Sequence, residues 1–74
     1  MDNSNERQFS AIRLCSRMAP AEIEDYFRRK ELHGEKGWKL VKTECVFYKK
    51  IENYKCNNMD YYLISATFVQ EFQP

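Results

Sequence analysis

Residues 60–69 read Asp60-Tyr61-Tyr62-Leu63-Ile64-Ser65-Ala66-Thr67-Phe68-Val69. Strict alternation puts Tyr62, Ile64, Ala66 and Phe68 on one side of an extended chain. Tyr61, Leu63, Ser65, Thr67 and Val69 fall on the other. Side chains repeat with period two along a strand, so the first set is a core face and the second a mixed one. β-branched and aromatic residues dominate, as strands prefer. This is the best strand of the chain, and the rest is read outward from it.

Immediately upstream, residues 53–59 (NYKCNNM) carry three Asn and read as a loop. Before them, Trp38–Ile51 (WKLVKTECVFYKKI) is β-rich. It is long for one strand in so small a domain. Its alternation also slips: Trp38 and Leu40 share one parity, Cys45 and Phe47 the other. A turn or bulge near Thr43-Glu44 accounts for both features. Further upstream the period changes. Ile23, Tyr26, Phe27 and the stem of Lys30 recur at helical spacing. Pro20 suits the first helical position, where its missing N–H is no loss. Glu22, Glu24 and Asp25 lie near the start, and Arg28, Arg29 and Lys30 near the end, as the helix dipole favours. Leu32 lies nearly opposite Ile23 on a continued helix, so the helix bends there or Leu32 packs elsewhere. Gly34 or Gly37 is the expected cap. Arg7–Cys15 (RQFSAIRLC) is a further strand, with neither face cleanly polar.

The order is β-α-β-β-β, or β-α-β-β if the middle stretch is one bent strand. The expected fold class is α+β: a two-layer sandwich with one helix packed on a 3–4-stranded antiparallel sheet. Residues 7–69 form the single domain, with polar tails at 1–6 and 70–74. The chain has 74 residues, so its core is thin. A 15% aromatic content is that of a folded chain, not a disordered one.

No apolar run nears the ~20 residues that span a bilayer, so no membrane role is expected. The polar start Met1–Glu6 lacks a signal-peptide core. Cys15, Cys45 and Cys56 are odd in number and widely spaced, which points to reduced thiols and a cytoplasmic address.

The stretch Ala21–Phe68 resembles a bacterial family of domains of unknown function. The resemblance rests on an amphipathic helix followed by Gly37-Trp38-Lys39-Leu40-Val41, then Val46-Phe47-Tyr48-Lys49-Lys50, then the Tyr-rich strand Asp60-Tyr61-Tyr62-Leu63-Ile64. It departs from that pattern at His33, where such families carry an apolar residue. The resemblance implies a fold more than a function, with no catalytic residues to carry over.

The residues themselves supply no catalytic set. His33 is the only histidine; catalysis would need a Ser or Cys with it, or two opposed carboxylates, and it reads instead as a solvent-facing residue at a frayed helix end. The Glu22/Asp25 pair reads as dipole partners. Zinc would need Cys15, Cys45, Cys56 and His33 together, but close Cys pairs are missing. No metal, cofactor or enzymatic activity is therefore expected.

Charge is distributed unevenly. The chain as a whole is +1, but residues 28–55 hold nine Lys/Arg against four Glu. Arg28, Arg29, Lys30, Lys39, Lys42, Lys49 and Lys50 are the candidate basic patch. Tyr48, Tyr54, Tyr61, Tyr62 and Leu63 are the candidate protein-binding residues, around the last hairpin. One helix covers one sheet face only, so the other stays half-apolar and open. The leading expectation is a protein-interaction module, an adaptor or small inhibitor. It docks on another protein, or on a second copy as a homodimer, through the open face or an edge strand. The alternative is a small nucleic-acid-associated protein, or a phage-type inhibitor of a nucleic-acid channel, using the basic stretch.

Overall fold

A computed structural model of the chain describes residues 5–51 and 59–71. The elements run β1 (Glu6–Cys15), α1 (Pro20–Lys30), β2 (Trp38–Lys49) and β3 (Asp60–Gln70). The fold is α+β, with one helix packed on a three-stranded antiparallel sheet. Strand order is β1-β3-β2. β3 is antiparallel to both neighbours, so β1 and β2 run parallel on either side of it. The helix makes the crossover that parallel strands require.

The middle stretch is one bent strand. Its register slips between Leu40 and Lys42, and again between Phe47 and Lys49. The first bulge lies at Val41, upstream of the Thr43-Glu44 site expected from the alternation. One extra residue there moves the core side from Trp38 and Leu40 to Thr43, Cys45 and Phe47, which is the parity change in the sequence. The loop expected at 53–59 lies outside the described residues except for Met59. At the other end β3 runs on to Gln70, whose N–H donates to the Asn5 carbonyl at 2.8 Å. The Glu71 N–H donates to the Gly37 carbonyl at 2.7 Å.

The core forms where α1 meets the even-numbered face of β3. Ile23, Phe27, Leu32, Ile64 and Phe68 are fully buried, with Ala66 and Trp38 beside them. Phe9 and Ala11 of β1 close one side, and the Phe9 ring stacks on Phe27 at 5.9 Å. This settles the ambiguous strand: Phe9, Ala11, Arg13 and Cys15 share the helix side, opposite Ala66, Ile64, Tyr62 and Asp60. Burying each large core side chain is worth about 1.5–3 kcal/mol.

Leu32 reaches this core because the helix stops short of it. The helix ends at Lys30 with Glu31 as C-cap, not at a glycine. His33 (φ 53°) and Gly34 (φ 76°) then turn left-handed. The Gly34 N–H returns to the Arg28 carbonyl at 3.1 Å. Ahead of that turn the Phe27 carbonyl accepts from both the Glu31 N–H (2.8 Å) and the Leu32 N–H (3.1 Å), so the last turn widens and Leu32 leaves the helical phase to reach 1% exposure. At the other end Pro20 is at the first helical position, as expected. The Glu22 carboxylate accepts from the Ala19 N–H at 2.8 Å. That is half of a capping box, since Ala19 has no side-chain oxygen to answer it.

Candidate functional site

The sheet outreaches its helix. Eleven residues of α1 span about 16 Å, whereas eleven residues of β3 span roughly 36 Å. The face away from α1 has no cover among the described residues. Direct cross-strand partners share a face, so the register maps this open face row by row. Ile12, Leu63 and Val46 form one row across the three strands. Leu14, Tyr61 and Lys49 form the next. Ser10, Ser65 and Glu44 follow in the other direction, then Gln8, Thr67 and Lys42, then Glu6, Val69 and Lys39. One end of the open face is apolar and the other is polar.

The apolar row is well exposed: Ile12 50%, Val46 51% and Leu63 39%. Tyr48, in the second bulge, is 57% exposed. Of the candidate binding residues, Tyr61 and Leu63 lie on the open face and Tyr48 at its β2 edge. Tyr54 lies outside the described residues. Tyr62 belongs to the opposite, helix-side face, because it shares parity with Ile64 and Phe68. There it meets Phe47 edge-on at 6.0 Å, and the Arg17 guanidinium lies 5.4 Å from its ring centre. Arg17 also donates to the Cys45 carbonyl at 3.0 Å. Phe47 is 50% exposed, since α1 does not reach so far along the sheet. Ile12 and Leu14 join this face although neither is among the sequence candidates, and Val46, expected on the open face, completes their row. The signal that brings them together is the cross-strand register, which alternation within one strand does not supply.

The basic stretch does not form one surface. Lys39, Lys42 and Lys49 lie on the open face, opposite Val69, Thr67 and Tyr61. Arg28, Arg29 and Lys30 lie on α1, across the sheet. Arg28 is half-buried: it donates to Glu24 at 2.8 Å and to the Trp38 carbonyl at 3.0 Å, and stacks over Phe68 at 5.0 Å. Arg29 pairs with Asp25 at 3.0 Å. Lys42 lies 3.6 Å from Glu44. Lys50 follows β2.

A polar cleft of about 360 Å³ opens where β1 turns into α1, lined in part by Arg13, Arg17, Glu22, Asp25 and Arg29. Its charges are already engaged. Arg13 stacks over Tyr26 at 4.6 Å, Asp25 holds Arg29, and Glu22 holds the Ala19 N–H. His33 is in the turn after α1, away from this cleft. Among the described residues no three His, Cys, Asp or Glu side chains cluster as metal ligands would.

Cys15 and Cys45 are free thiols. They sit on the two outer strands with β3 between them, beyond disulfide reach. Cys15 is buried and Cys45 half-buried. Burial pushes the Cys15 thiol pKa up, with smaller upward pushes from Cys45 and Glu22, and Arg13 pulls the other way. A thiol held neutral is a poor nucleophile. Cys56 lies outside the described residues. Among the described residues no helix is long and apolar enough to cross a membrane. No protein family matches this chain, and no curated protein and no solved structure matches it either.

Proposed function

We propose that this chain is a non-enzymatic protein-interaction module, an adaptor or small inhibitor, which docks through the open face of its sheet. The observation that carries the reading is the row Ile12–Leu63–Val46, half-exposed and flanked by Leu14, Tyr61 and Tyr48. Contiguous apolar surface with a polar surround is what recognition surfaces present. Lysines and Glu44 supply that surround here. The free thiols accord with a reducing, cytoplasmic setting.

The nucleic-acid alternative has less support. Its basic residues fall on two sides of the sheet, and Arg28 and Arg29 are already in ion pairs. A backbone-tracking groove needs its cations on one side.

The open-face lysines make a direct test. Amine cross-linking of the full chain to a captured protein should mark Lys42 and Lys49 and spare the exposed Lys30 on α1. Cross-links at Lys30 alone would place the partner on the helix side and overturn the reading.

A further inference from the structure

We infer that a second copy of this chain pairs along the outer edge of β1, antiparallel, with the two-fold axis at Ile12. The inference deepens the docking reading and rests on it, since it uses the same apolar row.

The two sheet edges differ. β2 has two bulges and carries Lys39, Lys42 and Lys49, and its Cys45 carbonyl takes a hydrogen bond from Arg17. Bulges and lysines are the usual devices that blunt an edge. β1 has no bulge and no lysine, and its charges, Glu6, Arg7 and Arg13, flank an uncharged centre at residues 8–12. It is ten residues long and pairs with β3 without a slip from Glu6 to Cys15. No backbone–backbone hydrogen bond joins its outer side to any other described residue. A straight row of N–H and C=O groups is matched by another extended strand.

The register follows from charge and size. A sheet joined about a two-fold normal to it keeps the two open faces on one side and sets residues of equal parity opposite each other. Centring at Ser10 would set Arg7 against Arg13, two like charges directly opposed. Centring at Ala11 would set Leu14 against Gln8 and Ile12 against Ser10. Centring at Phe9 would set Ile12 against Glu6. Centring at Ile12 sets Ile12 against Ile12 of the second copy, Ala11 against Arg13, Ser10 against Leu14 and Phe9 against Cys15. Within the strand residues that pair, 9–15, no charges oppose, and a small side chain faces each large one on the helix side. The apolar row becomes continuous: Val46, Leu63 and Ile12 run into the same three residues of the second copy, across six strands.

Area selects this arrangement over face-to-face stacking. A standard interface buries roughly 800 Å² per partner, and the open face offers for stacking one apolar row among polar ones. Edge pairing adds main-chain hydrogen bonds and leaves the doubled face available to a partner.

The test is a charge pair at residue 12, read by sedimentation or native mass spectrometry of the full chain. Wild type should be a dimer. Ile12→Lys and Ile12→Glu should each raise the dimer dissociation constant about tenfold or more. Mixing the two variants should restore a dimer containing one of each. Residue 12 is half-exposed, so both variants fold, which circular dichroism checks. A monomeric wild type overturns the inference. So does a dimer indifferent to Ile12→Lys, or two variants that fail to recombine. None of these results moves the cross-links at Lys42 and Lys49, so failure here is distinguishable from failure of the docking reading.

Discussion

Leu32 shows how a single position can lie outside every local pattern and still be core. By helical periodicity it lies nearly opposite Ile23, yet it is as buried as Ile23. The widened last turn, in which the Leu32 N–H reaches back five residues to Phe27, accounts for this. The left-handed pair His33-Gly34 then reverses the chain, a conformation that carries a cost at His33, because αL is unfavourable for a residue with a Cβ. His33→Gly should therefore stabilise the protein by about 0.5–1 kcal/mol in urea denaturation, although it removes the only histidine. Leu32→Ala should cost about 2–5 kcal/mol, as much as a core helix residue would. The Cys15 thiol adds a pH signature. Its folded pKa is raised, so the folded state holds that proton more tightly than the unfolded chain does. The resulting stability is full below the ordinary thiol pKa and is lost as pH rises through the folded value. Alkylation of Cys15 followed by mass mapping should be slow in native protein and fast in urea.

The elements were legible in the sequence to different degrees. β3 and the start of α1 were plain: β3 alternates cleanly, and Pro20 with the early carboxylates marks a helix entry. The parity change in β2 announced a bulge, but periodicity records only that one residue is extra. It does not say which, so the site at Val41 had to come from the register. The helix end was misplaced for a related reason, since glycines mark left-handed turns but do not say how far downstream of the helix they fall. α1 also has an unfinished cap. Ala19 is extended (φ −75°, ψ 157°) with Glu22 already bonded to its N–H. Ala19→Ser should complete the capping box and add about 0.5–1 kcal/mol to thermal or urea stability.

At the scale of the whole molecule, one short helix on a long sheet leaves two apolar areas of different character uncovered among the described residues. On the helix side Phe47 and Tyr62 pack on each other and under Arg17. On the open side Ile12, Leu63 and Val46 form a row with no such cover. The sequence indicated that one face would stay open and that Tyr61 and Leu63 would lie on it. Alternation within β3 already separates Tyr62, on the core face, from Tyr61 and Leu63, so the candidate binding set combined residues of both faces. What the sequence could not do is join Ile12 to Val46, which are neighbours only through β3. The basic middle of the chain dissolves for the same reason: residues near in sequence are divided between a helix and the far side of a sheet.

The measurement that bears most directly on the open face compares capture of a partner by wild type, Leu63→Arg and Phe47→Arg. Both variants place a cation at a partly exposed apolar site, one on each side of the sheet, so neither loses the core. The account predicts that Leu63→Arg abolishes capture and Phe47→Arg retains it. Capture that survives Leu63→Arg but fails with Phe47→Arg would contradict it.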